Sequence, residues 1–372
     1  MNTKRIIENA THGIIGRVTQ SMFAYHGWGS VARDENGTLY AVVSGGRAEH
    51  ICPFGKTLMY VSKNDGKTWS PPIIINDTAM DDRDTGILYL GNGRLLVTWF
   101  THSALSYNTV YRDWICKNAP LAVREGVEGM LAGYEHLPAE WQRAGSYIRI
   151  SEDYGVTWGE TIEIPISAPH GPTLCRDGSL IYLGTQIYEE DGVTLAHGQR
   201  VAHLYRSCDG GYTWQKESTA HAPDWMSEDQ FLEEPHVLEL PDGRLIGAFR
   251  ISGLFTTGIA FSEDGGKSWG EIRKTGFEGS PPYLMLHSSG ALLCFFGRRK
   301  TPCGEYVAVS YDMGESWQEQ YLLSEPKKDW DGDLGYPAAV ELGDGSILCV
   351  YYQHYGDDPK TSFLYTRWTL ER

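Results

Sequence analysis

The sequence predicts an all-β fold, a six-bladed β-propeller with four-stranded antiparallel blades. Three observations predict it. The pattern S-x-[D/N]-x-G-x-[S/T]-W occurs five times, as SKNDGKTW (62–69), SEDYGVTW (151–158), SCDGGYTW (207–214), SEDGGKSW (262–269) and SYDMGESW (310–317). Interleaved with it are six apolar segments broken by a glycine turn: DENGTLYAVV, LGNGRLLVTW, CRDGSLIYLG, LPDGRLIGAF, HSSGALLCFF and LGDGSILCVY. Successive motif serines lie 89, 56, 55 and 48 residues apart. A period near 50 marks a propeller or an array, and six hairpins, each followed by a second, make six blades.

Each element follows from local chemistry. In the motif turn, the Ser hydroxyl and Asp carboxylate bond turn backbone. Gly supplies positive φ, and Trp drops into the core as a staple. The turn is thereby a structural device and carries no chemistry. The interleaved segments carry hairpin turn chemistry between β-rich runs. The 89-residue spacing places an insertion at about 104–146 in the second blade. Its helical stretches suit a lid or wall over the ring face, or equally a solvated loop. The sixth unit is short, because only SFLYTRWTL follows LGDGSILCVYYQ before the chain ends. The N-terminal stretch GIIGRVTQ is expected to supply the missing outer strand and close the ring without an open edge. Residues 1–372 are read as one propeller domain.

Composition agrees and excludes several functions. The chain has 43 glycines and 12 tryptophans, which favour short strands joined by glycine turns. A net charge of −16 and the absence of a basic stripe argue against nucleic acid as a partner. The seven cysteines (Cys52, Cys116, Cys175, Cys208, Cys294, Cys303 and Cys349) are odd in number and lack CxxC spacing. They form neither a disulfide framework nor a zinc site. The start MNTKRIIENATHGIIGRV lacks the apolar run of a signal peptide. No apolar run reaches the length of a membrane span. The expectation is a cytoplasmic protein with no cofactor, no bound metal and no membrane partner.

The repeated turn is the Asp box, and with six blades the whole chain resembles the sialidase (neuraminidase) superfamily. The Asp box specifies fold and not activity, so function rests on residues facing the ring centre. The resemblance implies three roles. In LEEPHVLELPDGRLIGAFR, Glu234 matches the glutamate that activates the nucleophile, and Arg250 matches the second arginine of a carboxylate-binding triad. In DLGYPAAVELGDG, Tyr336 matches the nucleophilic tyrosine. Two family features are missing. Gly27-Trp28-Gly29 stands where the first triad arginine lies in an R-I-P stretch, and PFGKTLMYV lacks the acid/base aspartate. The third arginine is displaced, with Arg298 and Arg299 before the expected place near Cys303.

Chemistry explains the tyrosine. A sialic acid carries a carboxylate on its anomeric carbon. A carboxylate nucleophile at about 4 Å would be repelled by about 1 kcal/mol in water and about 4 at an effective dielectric near 20. A neutral tyrosine avoids this and passes its proton to the neighbouring glutamate. Arginines grip the substrate carboxylate by paired, charge-assisted bonds.

Other residues are candidates for the missing parts. NDTAMDDRDTGILYL clusters Asp81, Asp82, Arg83 and Asp84 ahead of an apolar strand. Strand alternation turns about half of them inward. Arg83 would supply positive charge, and Asp82 or Asp84 the acid. His50, with Arg47 nearby, His170 and His236 form a second group suited to acid–base work near neutral pH, or to binding. Asp331 and Asp333 flank the approach to Tyr336. Trp28 and Trp330 are candidates for stacking on a sugar.

The leading reading is a retaining exo-glycosidase acting on a terminal anionic sugar, sialic acid or a related sugar acid. Tyr336 is the nucleophile, Glu234 its base, and Arg250, Arg83 and Arg298 or Arg299 hold the carboxylate. The acid is Asp82, Asp84 or His50. A uronic-acid lyase would use much the same groups. A glycan-binding propeller without catalysis is the third reading, though a binder has no need of a tyrosine–glutamate pair.

Overall fold

The computed structural model describes residues 5–7, 9–113, 117, 120–188, 191–193, 196, 200–324 and 332–370. Trp330, Asp331 and Cys116 lie outside the described residues. Six sheets form the molecule. Their inner strands are Tyr25–Arg33, Arg83–Gly91, Thr173–Leu174, Phe231–Glu239, Pro282–Leu286 and Gly335–Glu341. Each inner strand touches the next, and the sixth touches the first, so the sheets are blades of a ring. Blade six takes its outer strand from Thr11–Gly16, which pairs antiparallel with Thr361–Trp368. Blade five has an additional edge, where Arg5–Ile6 runs parallel to Tyr321–Leu322.

The motif turns bond as their residue types dictate. In the fourth copy, Ser262 Oγ donates to Asp264 Oδ1 at 2.8 Å and accepts from Gly266 N at 2.8 Å. Asp264 also accepts from Ser268 N at 2.9 Å and from its hydroxyl at 2.6 Å. The glycines of the five copies (Gly66, Gly155, Gly211, Gly266 and Gly314) have φ between 79° and 105°, where a Cβ is strained. They also press on the preceding blade. A Cβ on Gly211, Gly266 or Gly314 would stand 2.6–2.7 Å from Leu96, Leu204 or Ile246.

The tryptophans work between blades. Trp158, Trp214, Trp269 and Trp317 each pack on a core shared with the preceding blade, and Trp69 packs on the core joining blade one to blade six. Blade six has no motif turn. At the interface of blades five and six the buried Trp368, from the last strand, serves instead.

The insertion forms α1 (Ala104–Asn108) and α2 (Leu121–Tyr134). Val123, Val127 and Leu131 recur every four residues and, with Tyr134, are buried against Ala48, Cys52, Met80 and Tyr107. A face buried in this way makes the insertion a wall over blades one and two. Cys52, Cys175, Cys208, Cys294, Cys303 and Cys349 are free. Among the described residues no helix is long and apolar enough to cross a membrane.

Candidate active site

At the ring centre the inner strands share one irregularity. In blades one, two, four and six the ladder to the second strand slips in register. At each slip one non-glycine residue has positive φ: Trp28 (56°), Asp84 (51°), Glu234 (45°) and Tyr336 (57°). Each such backbone costs on the order of 1–3 kcal/mol and persists only where the surroundings enforce it. All four residues line a single cavity of about 500 Å³. Blade three has Gly171 at the corresponding point, with φ 77° and no side chain. The sequence carried a signal for this feature, since Pro172, Pro235 and Pro337 directly follow the positive-φ residue in three blades.

Tyr336 and Glu234 meet across the cavity. The Tyr336 hydroxyl donates to Glu234 Oε1. Glu234 Oε2 accepts from Arg250 Nη1 at 2.6 Å. Glu233, next in the chain, accepts from the Ser252 hydroxyl and lies 3.5 Å from Arg250 Nε. Burial, Glu234 and Asp84 raise the Tyr336 phenol well above its ordinary pKa, against the pull of Arg250 and Arg299. The phenol is therefore neutral at physiological pH, and its proton already points at a carboxylate.

Three arginines line the same cavity: Arg83, Arg250 and Arg299. Arg83 comes from blade two and lies 4.3 Å over the Trp28 ring. Positive charge thus stands beside Trp28, where the sequence lacks the family arginine. Arg299 is held by the Leu334 carbonyl at 3.0 Å and stands 5.8 Å over the Tyr336 ring. Arg298 turns away to Glu278 at 3.2 Å and the Lys300 carbonyl at 3.1 Å, lining a second cavity.

The two aspartates of blade two differ in direction. Asp84 lines the cavity, and its Oδ1 is buried without a hydrogen bond among the described residues. Burial pushes its pKa up to about 7, with Arg83 opposing and Glu234 adding. Asp82 is also pushed up to about 7 by burial. It faces Thr78, accepting from its hydroxyl at 2.7 Å and its N–H at 3.1 Å, and does not line the cavity. Asp82 is therefore no candidate for contact with substrate.

Several other candidates also lie behind the site. Arg47 is fully buried and pairs with Asp81, which accepts a bond from the Tyr107 hydroxyl at 2.7 Å. Arg47 also stands 4.7 Å over Trp28. Trp28 is 1% exposed, so its ring serves two guanidiniums and offers little surface to a sugar. His170 and His236 are buried together, ring centres 6.0 Å apart, and neither lines the cavity. Burial lowers His170 to about 3, so it is a neutral packing residue.

His50 does reach the cavity. Its Nδ1 lies 3.1 Å from Asp333 Oδ1 and 2.8 Å from the Tyr25 hydroxyl, which donates to Asp333 at 2.9 Å. The remaining wall comes partly from the insertion, as a wall over the ring face, but its lining residues were not singled out in the sequence. Phe100, His102, Val110, Tyr111 and Ile187 line it, with His102 bonded to the Tyr188 hydroxyl. Val110 and Tyr111 come from the insertion but lie ahead of its periodic helix, so no pattern marks them.

The family described as BNR repeat-like domain matches residues 116–349, more than half of the chain. The chain belongs to this family, and its fold is that of a sialidase-like BNR propeller. A protein of unknown function from Dyadobacter fermentans superposes with TM-score 0.75 at 21% identity, covering 98% of this chain and 100% of that one. The NanB sialidase from Streptococcus pneumoniae superposes with TM-score 0.67 at 13% identity, over 96% of this chain and 70% of that one. The intramolecular trans-sialidase from Ruminococcus gnavus gives 0.65 at 14%, over 96% and 97%. No curated protein matches the chain.

Proposed function

We propose that the protein is a retaining glycoside hydrolase that removes a terminal sugar carrying a carboxylate. The observation that carries this reading is the bonded chain Tyr336–Glu234–Arg250 inside a cavity that also holds Arg83 and Arg299. Tyr336 Oη attacks the anomeric carbon while Glu234 takes its proton. A neutral nucleophile approaches a carboxylate-bearing carbon without like-charge repulsion. Arg83, Arg250 and Arg299 face the cavity from blades two, four and five. They supply the positive field that a sugar carboxylate needs when buried. The sialidase and the trans-sialidase among the structural relatives support the class of reaction.

The test is a screen of 4-nitrophenyl glycosides of sialic, uronic and related sugar acids, run beside Tyr336→Phe. Turnover of one class is expected, and Tyr336→Phe should lower kcat by about 10³-fold or more while circular dichroism stays unchanged. Wild-type rates in Tyr336→Phe would remove the nucleophile. A product absorbing near 235 nm would point to elimination instead, as in a lyase.

A further inference from the structure

A second cavity of about 670 Å³ adjoins the first. It is lined by Phe255, Glu278, Arg298, Lys300 and Asp333, among others. Among the described residues, His50 and Arg299 alone line both cavities. The inner one contains the nucleophile. If the sugar acid fills it, the bond to be broken points out past His50, and the leaving group enters the outer cavity. The outer cavity suits a sugar, because Phe255, an exposed aromatic residue, lines it beside several polar side chains.

We propose that the outer cavity is the leaving-group subsite and that His50 is the general acid/base at its border. This rests on the glycosidase reading above. Hydrogen bonding sets the orientation of His50. Asp333 Oδ1 already accepts the Tyr25 hydroxyl, so the hydrogen between His50 Nδ1 and these two oxygens must come from the histidine. Nε2 is left with no hydrogen bond to a described residue. Asp333 and Tyr25 are positioning residues. Trp28 braces the ring edge to face at 4.9 Å. His50 sits in the loop between the second and third strands of blade one, ahead of the first motif turn. The aspartate that PFGKTLMYV lacks would lie in the same loop.

The steps balance. In the first, Tyr336 Oη bonds to the anomeric carbon and its proton passes to Glu234. The glycosidic C–O bond breaks, and the leaving oxygen takes the Nε2 proton. In the second, neutral His50 removes a proton from water. The hydroxide oxygen bonds to the anomeric carbon, the bond to Tyr336 breaks, and Glu234 returns the phenol proton.

Burial lowers the His50 pKa, Asp333 opposes this, and Arg83 and Arg299 lower it further. The acid form is therefore favoured at lower pH than in a free histidine. Turnover of substrates with poor leaving groups is expected to fall as pH rises through this lowered pKa. Asp333→Asn removes the opposing charge and should move that limb to still lower pH.

The experiment compares the 4-nitrophenyl and methyl glycosides of the sugar acid found in the screen. In His50→Ala, kcat/KM should fall by about 10²–10⁴-fold for the methyl glycoside and by under about tenfold for the 4-nitrophenyl one, whose leaving group needs no proton. Azide should restore turnover of the nitrophenyl glycoside and yield the glycosyl azide. Equal losses on both substrates with no azide effect would overturn the assignment, as would the same split appearing in Asp84→Asn. Tyr336→Phe separates the two levels: if it keeps activity, the glycosidase reading fails whatever His50 does. One readout needs no turnover. Nitrogen-15 NMR of the His50 ring at neutral pH should find the Nδ1–H tautomer, and an Nε2–H tautomer would overturn the proposal.

Discussion

Asp84 is held in a cost that pH controls. Its unfolded pKa is the ordinary carboxylate value, and burial raises the folded one to about 7. Between these values the native state binds more protons than the unfolded state, so stability falls as pH rises through that window. The carboxyl is therefore protonated and harmless in acid, and charged and destabilising above about pH 7. Asp84→Asn keeps the shape and removes the titration. It should stabilise the protein at pH 8 by about 1–3 kcal/mol and leave it unchanged at pH 4. Urea denaturation at the two pH values checks this. An equal effect at both would mean that the carboxylate is not buried against its charge. A residue that costs stability at a cavity beside Tyr336 and Glu234 is expected of a functional site and not of a packing site.

At the scale of the element, the motif glycine has two duties that substitution can separate. Gly266 has φ 105° and touches Leu204 of the preceding blade. Gly243, in the hairpin turn of the same blade, has φ 92° with open space around it. Alanine at Gly243 should cost about 1 kcal/mol, for backbone strain alone. Alanine at Gly266 should cost about 2–4 kcal/mol, because the blade contact must also give way. Thermal unfolding of the two variants compares them, and equal losses would show that the contact is compliant.

The same element shows what could be read from sequence. Five copies of one turn fixed the phase of the strands, and the phase brought Glu234, Arg250 and Tyr336 to one place. The tryptophans were assigned to a core, but only the structure shows each sealing an interface between blades. The pairs Gly171-Pro172, Glu234-Pro235 and Tyr336-Pro337 stood in the sequence as a mark of the bulged inner strand. They were legible in principle. The pair of His50 and Asp333 was not, because 283 residues separate them and neither lies on a repeated position. Asp82 was placed among the candidates by strand alternation, and Arg47 by its nearness to His50. Strand alternation says which residues leave the sheet plane, but not whether a buried partner such as Asp81 or Thr78 is waiting there.

The ring as a whole depends on a closure that no blade supplies for itself. Blade six has three strands from the chain's end and one from Thr11–Gly16. Without that strand, Thr361–Trp368 would present unpaired backbone groups along its outer side, an edge open to other chains. Ile14 and Ile15 would also leave the cores on either side of blade six. Removing residues 1–16 is therefore expected to lower the melting temperature by several degrees and to cause association that grows with concentration. Removing residues 1–7 takes away the short parallel pairing on blade five and the packing of Ile7, but leaves Thr11–Gly16 in place, and should have a much smaller effect. Differential scanning calorimetry and sedimentation velocity distinguish the two deletions. The site should respond too, because Tyr336 rides on the inner strand of blade six and its bond to Glu234 crosses the ring. Loosening the closure should reduce kcat before the protein unfolds. A shortened chain that stays monomeric with unchanged melting and rate would mean that three strands suffice to hold blade six.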